Sequence, residues 1–266
     1  MSAPLLAYQF SSFAGLPLVH GLSGRVVELP FQGDVGHGRG TVADDIERNR
    51  AAFLSELGVA VDALTLGRQT HGARVQVVEP CERGQGRFPA FDGFPETDAL
   101  TTNHPGVALG VIVADCVPIL LYDPEHHAVA VVHAGWRGTV AGIAANAVQG
   151  MAEAYETNPS TLIAGIGPSI GPCCYEVGDE VIAAWCQRED VPVDDAVRRV
   201  DSSYHFDLWA ANLRILTAAG VREDRIELSG VCVRCGIERY FSYRASGQGV
   251  AHPGRMLMVA QLQPLA

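Results

Sequence analysis

The chain predicts an α/β fold, a single domain of mixed β-sheets with outer helices spanning residues 1–266. Three observations predict it. Short apolar runs bounded by Gly, Pro and Asp recur along the chain and read as strands. About four segments instead carry apolar residues at helical spacing. The two kinds alternate without a regular strand–helix–strand repeat and without a linker that would divide the chain.

Tyr8 to Phe13 and Leu18 to Ser23 read as the first two strands, with His20 on the second. Gln32 to Gly40 is glycine-rich and reads as a loop; no Gly-Lys-Ser/Thr follows, so it is not a phosphate loop. Thr41 to Gly58 predicts a helix, capped by Thr41 with Asp44 three residues on. Its apolar face is Val42, Ile46, Ala52 and Leu54 or Leu57. Arg48 and Arg50 lie on that helix, by default as solvated surface. Leu64 to Val78 predicts two strands around a polar bend of Gln69, Thr70 and His71, where a histidine beside a glycine is within reach of a ligand. Cys81 to Glu96 is an irregular, Gly/Pro/Phe-rich loop and a candidate lid, and Asp98 to Thr102 begins the next strand.

Val107 to Gly138 reads as two neighbouring strands separated by an Asp-Pro-Glu-His turn. A turn centred on Pro124 and Glu125 would set Cys116 across from His133. Pro118 would interrupt pairing in a central strand. Thr139 then predicts a helix cap, followed by Ile143, Ala147, Met151 and Ala154 at helical spacing. The junction HAGWRGT offers backbone N–H groups and Arg137 to an anion, or is a plain tight turn. Thr161 to Gly167 predicts a strand, Asp179 to Cys186 and Phe206 to Gly220 predict helices, and MLMVAQL from Met256 closes the chain as a strand.

Composition limits the function. The formal net charge of −11, with no Lys/Arg run, argues against nucleic-acid and anionic-membrane partners. No apolar run reaches membrane-spanning length, and MSAPLLAYQF, without a basic start and a long apolar core, argues against a secretory signal. A cytoplasmic location follows as the expectation, in which the seven cysteines are thiols or ligands. Vicinal Cys173 and Cys174 are expected to be structural, since neighbouring side chains on an extended chain diverge. Cys232-x-x-Cys235 lacks a second pair of ligands in sequence, which a closed zinc site would need.

Cys116 alone reads as a small buried hydrophobe and His133 as a core histidine. Adding His71 gives two imidazoles and a thiolate, the ligand set of an open catalytic zinc site. Zinc lowers the pKa of bound water to around 7.

Four stretches carry a family likeness: QTHGARV at Gln69, ADCVPILLYDP at Ala114, HAGWRG at His133 and GPSIGPCCYEVG at Gly167. Fainter echoes are HGLSGR at His20, ERNR at Glu47, HFDLWAANL at His205 and FSYRASG at Phe241. With these the sequence resembles the YfiH-type family, also called laccase-domain or polyphenol-oxidase-like. The resemblance implies a layered α/β/β/α arrangement and a metal held by His71, Cys116 and His133, one Zn²⁺ per chain, with copper as the alternative. It implies phosphorolysis of adenosine, inosine, guanosine and methylthioadenosine, and deamination of adenosine, so that purine nucleosides and phosphate are the small-molecule partners. Arg50, Arg137 and Arg244 are the phosphate candidates, with Arg255 behind them, because a guanidinium fork matches phosphate oxygens. Two departures stand out: RVVELPFQGDVGHGRG replaces the family's pattern after the first His-Gly, and Ala245 stands where a second arginine is usual.

Three other readings use the same residues. Cys116 and His133 could form a cysteine hydrolase, for which the resemblance implies peptidoglycan precursors as substrates. Copper oxidation of phenols would require more histidine ligands and a His-x-His pattern, which the chain lacks. The last is a non-catalytic binding protein. Oligomeric state is left open.

Overall fold

The structure, a computed structural model, describes residues 4–37, 42–88, 93–245 and 254–265. In chain order its strands are β1 (Leu6–Tyr8), β2 (Leu18–Ser23), β3 (Leu64–Leu66), β4 (Val75–Val77), β5 (Ala99–Thr102), β6 (Ala108–Val113), β7 (Val117–Asp123), β8 (Ala128–Ala134), β9 (Ile163–Ile166), β10 (Glu176–Val177), β11 (Val197–Val200), β12 (Ser203–Phe206), β13 (Ile226–Leu228) and β14 (Met256–Leu262). The helices are α1 (Ala43–Glu56), α2 (Trp136–Val140), α3 (Ile143–Tyr155), α4 (Asp179–Cys186) and α5 (Leu208–Ala218). Two large mixed sheets form, in the orders β1-β2-β14-β6-β3 and β13-β9-β7-β8-β5-β4, with a small third sheet β10-β12-β11.

Alternation along the strands explains how these stack. In β7, Leu120 and Tyr122 face one way and join Val129 and Val131 of β8 and Met256 and Met258 of β14 in a core between the two large sheets. Val117, Ile119 and Leu121 face the other way and pack beneath Ile143, Ala147 and Met151 of α3 and Ile215 of α5. A third core sets Phe53 and Leu54 of α1 against Leu64, Leu257 and Val259 on the outer face of the five-stranded sheet. The layers therefore run α/β/β/α. Strands β7 and β8 are buried along their whole length, as their uninterrupted apolar runs require. Among the described residues, no helix is long and apolar enough to cross a membrane.

Strands β2 and β14 and helix α4 have the bounds expected from sequence. Other expectations need correction. The cap position Thr41 lies outside the described residues, as do 89–92 of the lid candidate. Arg50 is not solvated surface: it is 5% exposed, and its guanidinium donates to the carbonyls of Val35 and Arg87 at 2.7 Å each, tying α1 to two loops. Thr139 is no cap either. The helix has already begun at Trp136 after Gly135, and Thr139 is buried inside it, its hydroxyl accepting from Asn212 Nδ2 at 3.1 Å. Gly142, at φ 81°, then separates α2 from α3. Phe206 ends β12 instead of starting α5, because Asp207 caps that helix by accepting from the N–H groups of Trp209 and Ala210.

The β7–β8 register also differs from expectation. Val117 pairs with Ala134 and Pro118 with His133, so Cys116 lies two residues off the expected partner. The connection is a four-residue loop, 124–127, in which the Asp123 carboxylate accepts the N–H groups of Glu125 and His126 and His127 takes φ 48°. A shift of two residues preserves the face, so Cys116 and His133 still point to the same side. Pro118 does sit in a central strand. It lies opposite Gly167, whose N–H donates to Pro118 O at 2.9 Å, and the hydroxyl of Ser169 supplies Gly167 O with the donor that proline lacks, at 3.1 Å.

Candidate functional site

Asp98, the residue before β5, is the centre of the site. Its fully buried carboxylate accepts the N–H groups of Thr70, His71 and Gly72 at 3.0, 2.9 and 2.9 Å. The polar bend between β3 and β4 is thus wrapped around one anion, with His71 held at φ 63°. The same carboxylate meets His133 Nδ1 at 2.8 Å, and the Asp98 carbonyl accepts the His133 N–H at 2.8 Å. Burial pushes the Asp98 carboxyl up, but the bonds from His133, Thr70 and Gly72 outweigh it and hold the group below the usual carboxylate range. With Nδ1 turned to Asp98, His133 has Nε2 left to offer, the arrangement usual for a metal-ligating histidine.

Cys116 enters from the start of β7. The donor atoms of His71, Cys116 and His133 all lie within 4.8 Å of one another. The two rings meet edge to face, their centroids 4.8 Å apart. Burial would raise the Cys116 thiol, but the charge on His133 and hydrogen bonds from His133 and His71 bring it down from 9.0 to about 6. Burial would lower His133, but the Cys116 charge and the bonds to Asp98 and Cys116 push it up from 6.5 to about 9. Each group thus favours the charged form of the other. Gly135 makes this convergence possible, since a Cβ there would stand 2.9 Å from both Cys116 Sγ and His71 Cδ2.

A cleft of about 460 Å³ adjoins, lined by Trp136, Tyr175, Glu176, Glu180 and Arg244 among others. Tyr175 links it to the three donors: burial and the Cys116 charge raise its phenol, while Arg244 and Arg137 oppose the rise. Arg244 lies over the Tyr175 ring at 5.0 Å and donates to Glu176 O, and Arg137 lies over the Trp136 ring at 4.2 Å. Two of the three arginines expected to hold phosphate are therefore beside the cleft, and Arg50 does not line it. Arg255 donates its backbone N–H to Asp34 Oδ1 at 2.8 Å, its guanidinium lies over Tyr243 at 5.6 Å, and its charge is felt by Asp115.

Sequence reasoning missed Asp98, Asp115, Gly135 and Tyr175. Asp115, at φ 86° and 8% exposed, accepts from Ser242 Oγ and Arg244 N at 2.6 Å each, anchoring the segment that carries Arg244. A signal for both acids was present: each interrupts or abuts a run of apolar residues, where an isolated carboxylate is costly unless it is fully hydrogen-bonded.

Residues 22–263 match the family described as multi-copper polyphenol oxidoreductase laccase. The chain is 41% identical over 217 residues to "Adenosine deaminase RL5" of an unknown prokaryotic organism, covering 77% of this chain and 80% of that protein. It is 35% identical over 251 residues to "Purine nucleoside phosphorylase YlmD" of Geobacillus stearothermophilus, covering 91% and 89%. The crystal structure of YlmD from that organism superposes with a TM-score of 0.88 at 32% identity, over 98% of this chain and 100% of that one. The Bacillus licheniformis protein YfiH gives 0.86 at 30% identity, over 92% and 93%.

Proposed function

The chain belongs to the multi-copper polyphenol oxidoreductase laccase family, and from that premise and the geometry of the site we propose that it is a zinc-dependent purine nucleoside enzyme. Its reactions are phosphorolysis of adenosine, inosine, guanosine and methylthioadenosine, and deamination of adenosine, with residues 1–266 acting as one domain. Its thiolate chemistry fits a reducing, cytoplasmic setting. Relatives named as a purine nucleoside phosphorylase and as an adenosine deaminase support the substrate class. The observation that carries the reading is the convergence of His71, Cys116 and His133 around the Asp98 carboxylate.

The donor set fits zinc: two imidazoles and one thiolate, with a carboxylate orienting one imidazole. Zinc, when bound, supplies Lewis acidity that activates a nucleophile at neutral pH. The protein's own residues do the remainder. Asp98 keeps the proton on His133 Nδ1 and holds the His71 backbone in place. Trp136 and Tyr175 give the cleft flat aromatic walls suited to a purine ring. Arg137 and Arg244 hold phosphate, their guanidinium forks matching its oxygens. Copper oxidation of phenols fits poorly, since among the described residues the metal-capable groups with imidazole ligands reduce to this one triplet.

One observation favours a second reading. Cys116, His133 and Asp98 also stand in the order of a thiolate nucleophile, its base and the base's orienter, as a cysteine hydrolase would need. A single assay separates the two. Purified protein is incubated with adenosine and with inosine, with and without phosphate, while inosine, hypoxanthine and ribose-1-phosphate are followed. Phosphate-dependent hypoxanthine release that disappears together with zinc in His71→Ala is the expected result. No product under any condition overturns the proposal, and a metal-free protein with iodoacetamide-sensitive hydrolase activity selects the rival.

A further inference from the structure

Cys173, Cys174, Cys232 and Cys235 play no part in that chemistry, yet the fold gathers them. The first two lie in the turn between β9 and β10, the others after β13, and all four sulfurs lie within 4.8 Å of one another. Cys235 Sγ is 3.6 Å from Cys173 Sγ and 3.5 Å from Cys174 Sγ. A disulfide would bring two of them to about 2.05 Å. Four thiolates around zinc at about 2.3 Å would be separated by about 3.8 Å, the edge of the tetrahedron. The two Cys235 distances are close to that edge, and none of the six exceeds it by more than about 1 Å.

The expectation that vicinal cysteines diverge fails for a local reason. Cys174 N–H donates to Gly171 O at 2.9 Å and Tyr175 N–H to the same oxygen at 3.1 Å, so the chain here is a tight turn and not an extended strand. Successive side chains on such a turn point about 100° apart, as on a helix, not to opposite faces. The Cys232-x-x-Cys235 segment is equally compact, with Gly236 N–H donating to Cys232 O at 3.0 Å. One of the four sulfurs already has backbone donors. Cys232 Sγ accepts N–H groups from Gly171, at 3.3 Å, and from Cys235. Arg234 brings a guanidinium to the cluster by donating to Cys174 O at 3.3 Å. Sulfur-bound N–H donors of this kind orient and stabilise metal thiolates.

We propose that Cys173, Cys174, Cys232 and Cys235 bind a second zinc ion in a closed four-thiolate site, separate from the His71, Cys116 and His133 centre. Four soft ligands leave no open position, so the site holds structure and does no chemistry. What it holds are two walls of the cleft. The turn at Cys174 leads directly into Tyr175 and Glu176, and the segment after Cys235 leads to Ser242 and Arg244, which bind Asp115 beside Cys116. A metal joining the two turns fixes both walls relative to the three-donor centre. This inference stands independently of which reaction that centre performs.

The test is zinc content per chain, by elemental mass spectrometry on full-length protein purified under reducing conditions. Wild type, His71→Ala and the double variant Cys232→Ser/Cys235→Ser are compared. Two zinc ions in wild type and one in each variant is the expected outcome. One zinc in wild type, lost in His71→Ala and kept in the cysteine variant, overturns the four-thiolate site and leaves the other centre standing. One zinc lost only in the cysteine variant supports it and counts against metal at the other centre. Zinc K-edge absorption on wild type frees the test from misfolding of a variant. The signal averages every zinc in the protein, so a mean of about 2.5 sulfurs per zinc with both sites filled, rising to about four if only the four-thiolate site is filled, supports the proposal. A shell of nitrogen and oxygen with a single sulfur overturns it, as does an intact mass showing these cysteines paired as disulfides.

Discussion

Asp98 shows how much a single carboxylate can organise. It turns a polar bend into a rigid loop, sets the φ of His71 and fixes the tautomer of His133, all from a position without solvent. Asp98→Asn preserves the shape but removes one acceptor and the charge. A buried N–H in the bend or the His133 ring then loses its partner, at a cost of roughly 1–3 kcal/mol. Metal affinity is expected to fall roughly 10- to 100-fold, as for other residues that orient a ligand. Competition against a chelator of known affinity measures the second effect and thermal unfolding the first. Unchanged affinity would mean that His133 does not depend on Asp98. An acid abutting an apolar run marked residue 98, but which groups it would meet was not legible there, because its partners lie 26 to 35 residues away in sequence.

Among the elements, β7 and β2 make separate predictions. Strand β7 tolerates Pro118 because Ser169 Oγ donates to Gly167 O, while Trp209 Nε1 donates to the same hydroxyl at 2.6 Å. Ser169→Ala leaves a buried carbonyl and an indole N–H unpaired together, and unfolding in urea is expected to show a loss of roughly 1–3 kcal/mol. A neutral result would mean that solvent reaches both groups. On β2, His20 is buried, 5% exposed, and its Nε2 accepts the Phe10 N–H at 2.9 Å, a bond that only the neutral ring can make. Burial lowers its pKa from 6.5 to about 4. Below 6.5 the unfolded chain takes up a proton that the folded protein refuses, so stability falls as pH drops. The loss runs from about pH 6.5 down to about pH 4 and is on the order of 3 kcal/mol. Urea unfolding of wild type and His20→Gln across that range measures it, and equal slopes in the two proteins would refute the assignment. Most long strands were legible from alternating and continuous apolar runs, but the break at 114–116 that turns the expected first strand of Val107 to Gly138 into β6 and β7, in different sheets, was not, nor were β1 at its observed place and the short β10 to β13. The β7–β8 register was not legible either, because it depends on the Asp123 side chain closing a four-residue loop.

For the molecule as a whole, the stacking of two sheets between helices places the load on residues that face the inner layer. Leu120 is fully buried there, whereas Val61 is 42% exposed. Leu120→Ala is expected to destabilise by about 2–5 kcal/mol and Val61→Ala by within about 0.5 kcal/mol, read from urea midpoints at constant slope. Similar losses at both positions would contradict the layer assignment. The sequence by itself determined the fold class and the place of most long strands, because periodicity is a local property of the chain, and it offered His71, Cys116 and His133 as candidate ligands chiefly through the family likeness. Only the tertiary structure decided which polar groups meet. It placed Asp98 beneath two histidines, moved Arg50 into the interior, brought Arg137 and Arg244 to the cleft, and drew four cysteines from two distant turns into one cluster. Such meetings depend on loop closure and strand register across tens of residues, and a residue's own neighbours in sequence carry no record of them.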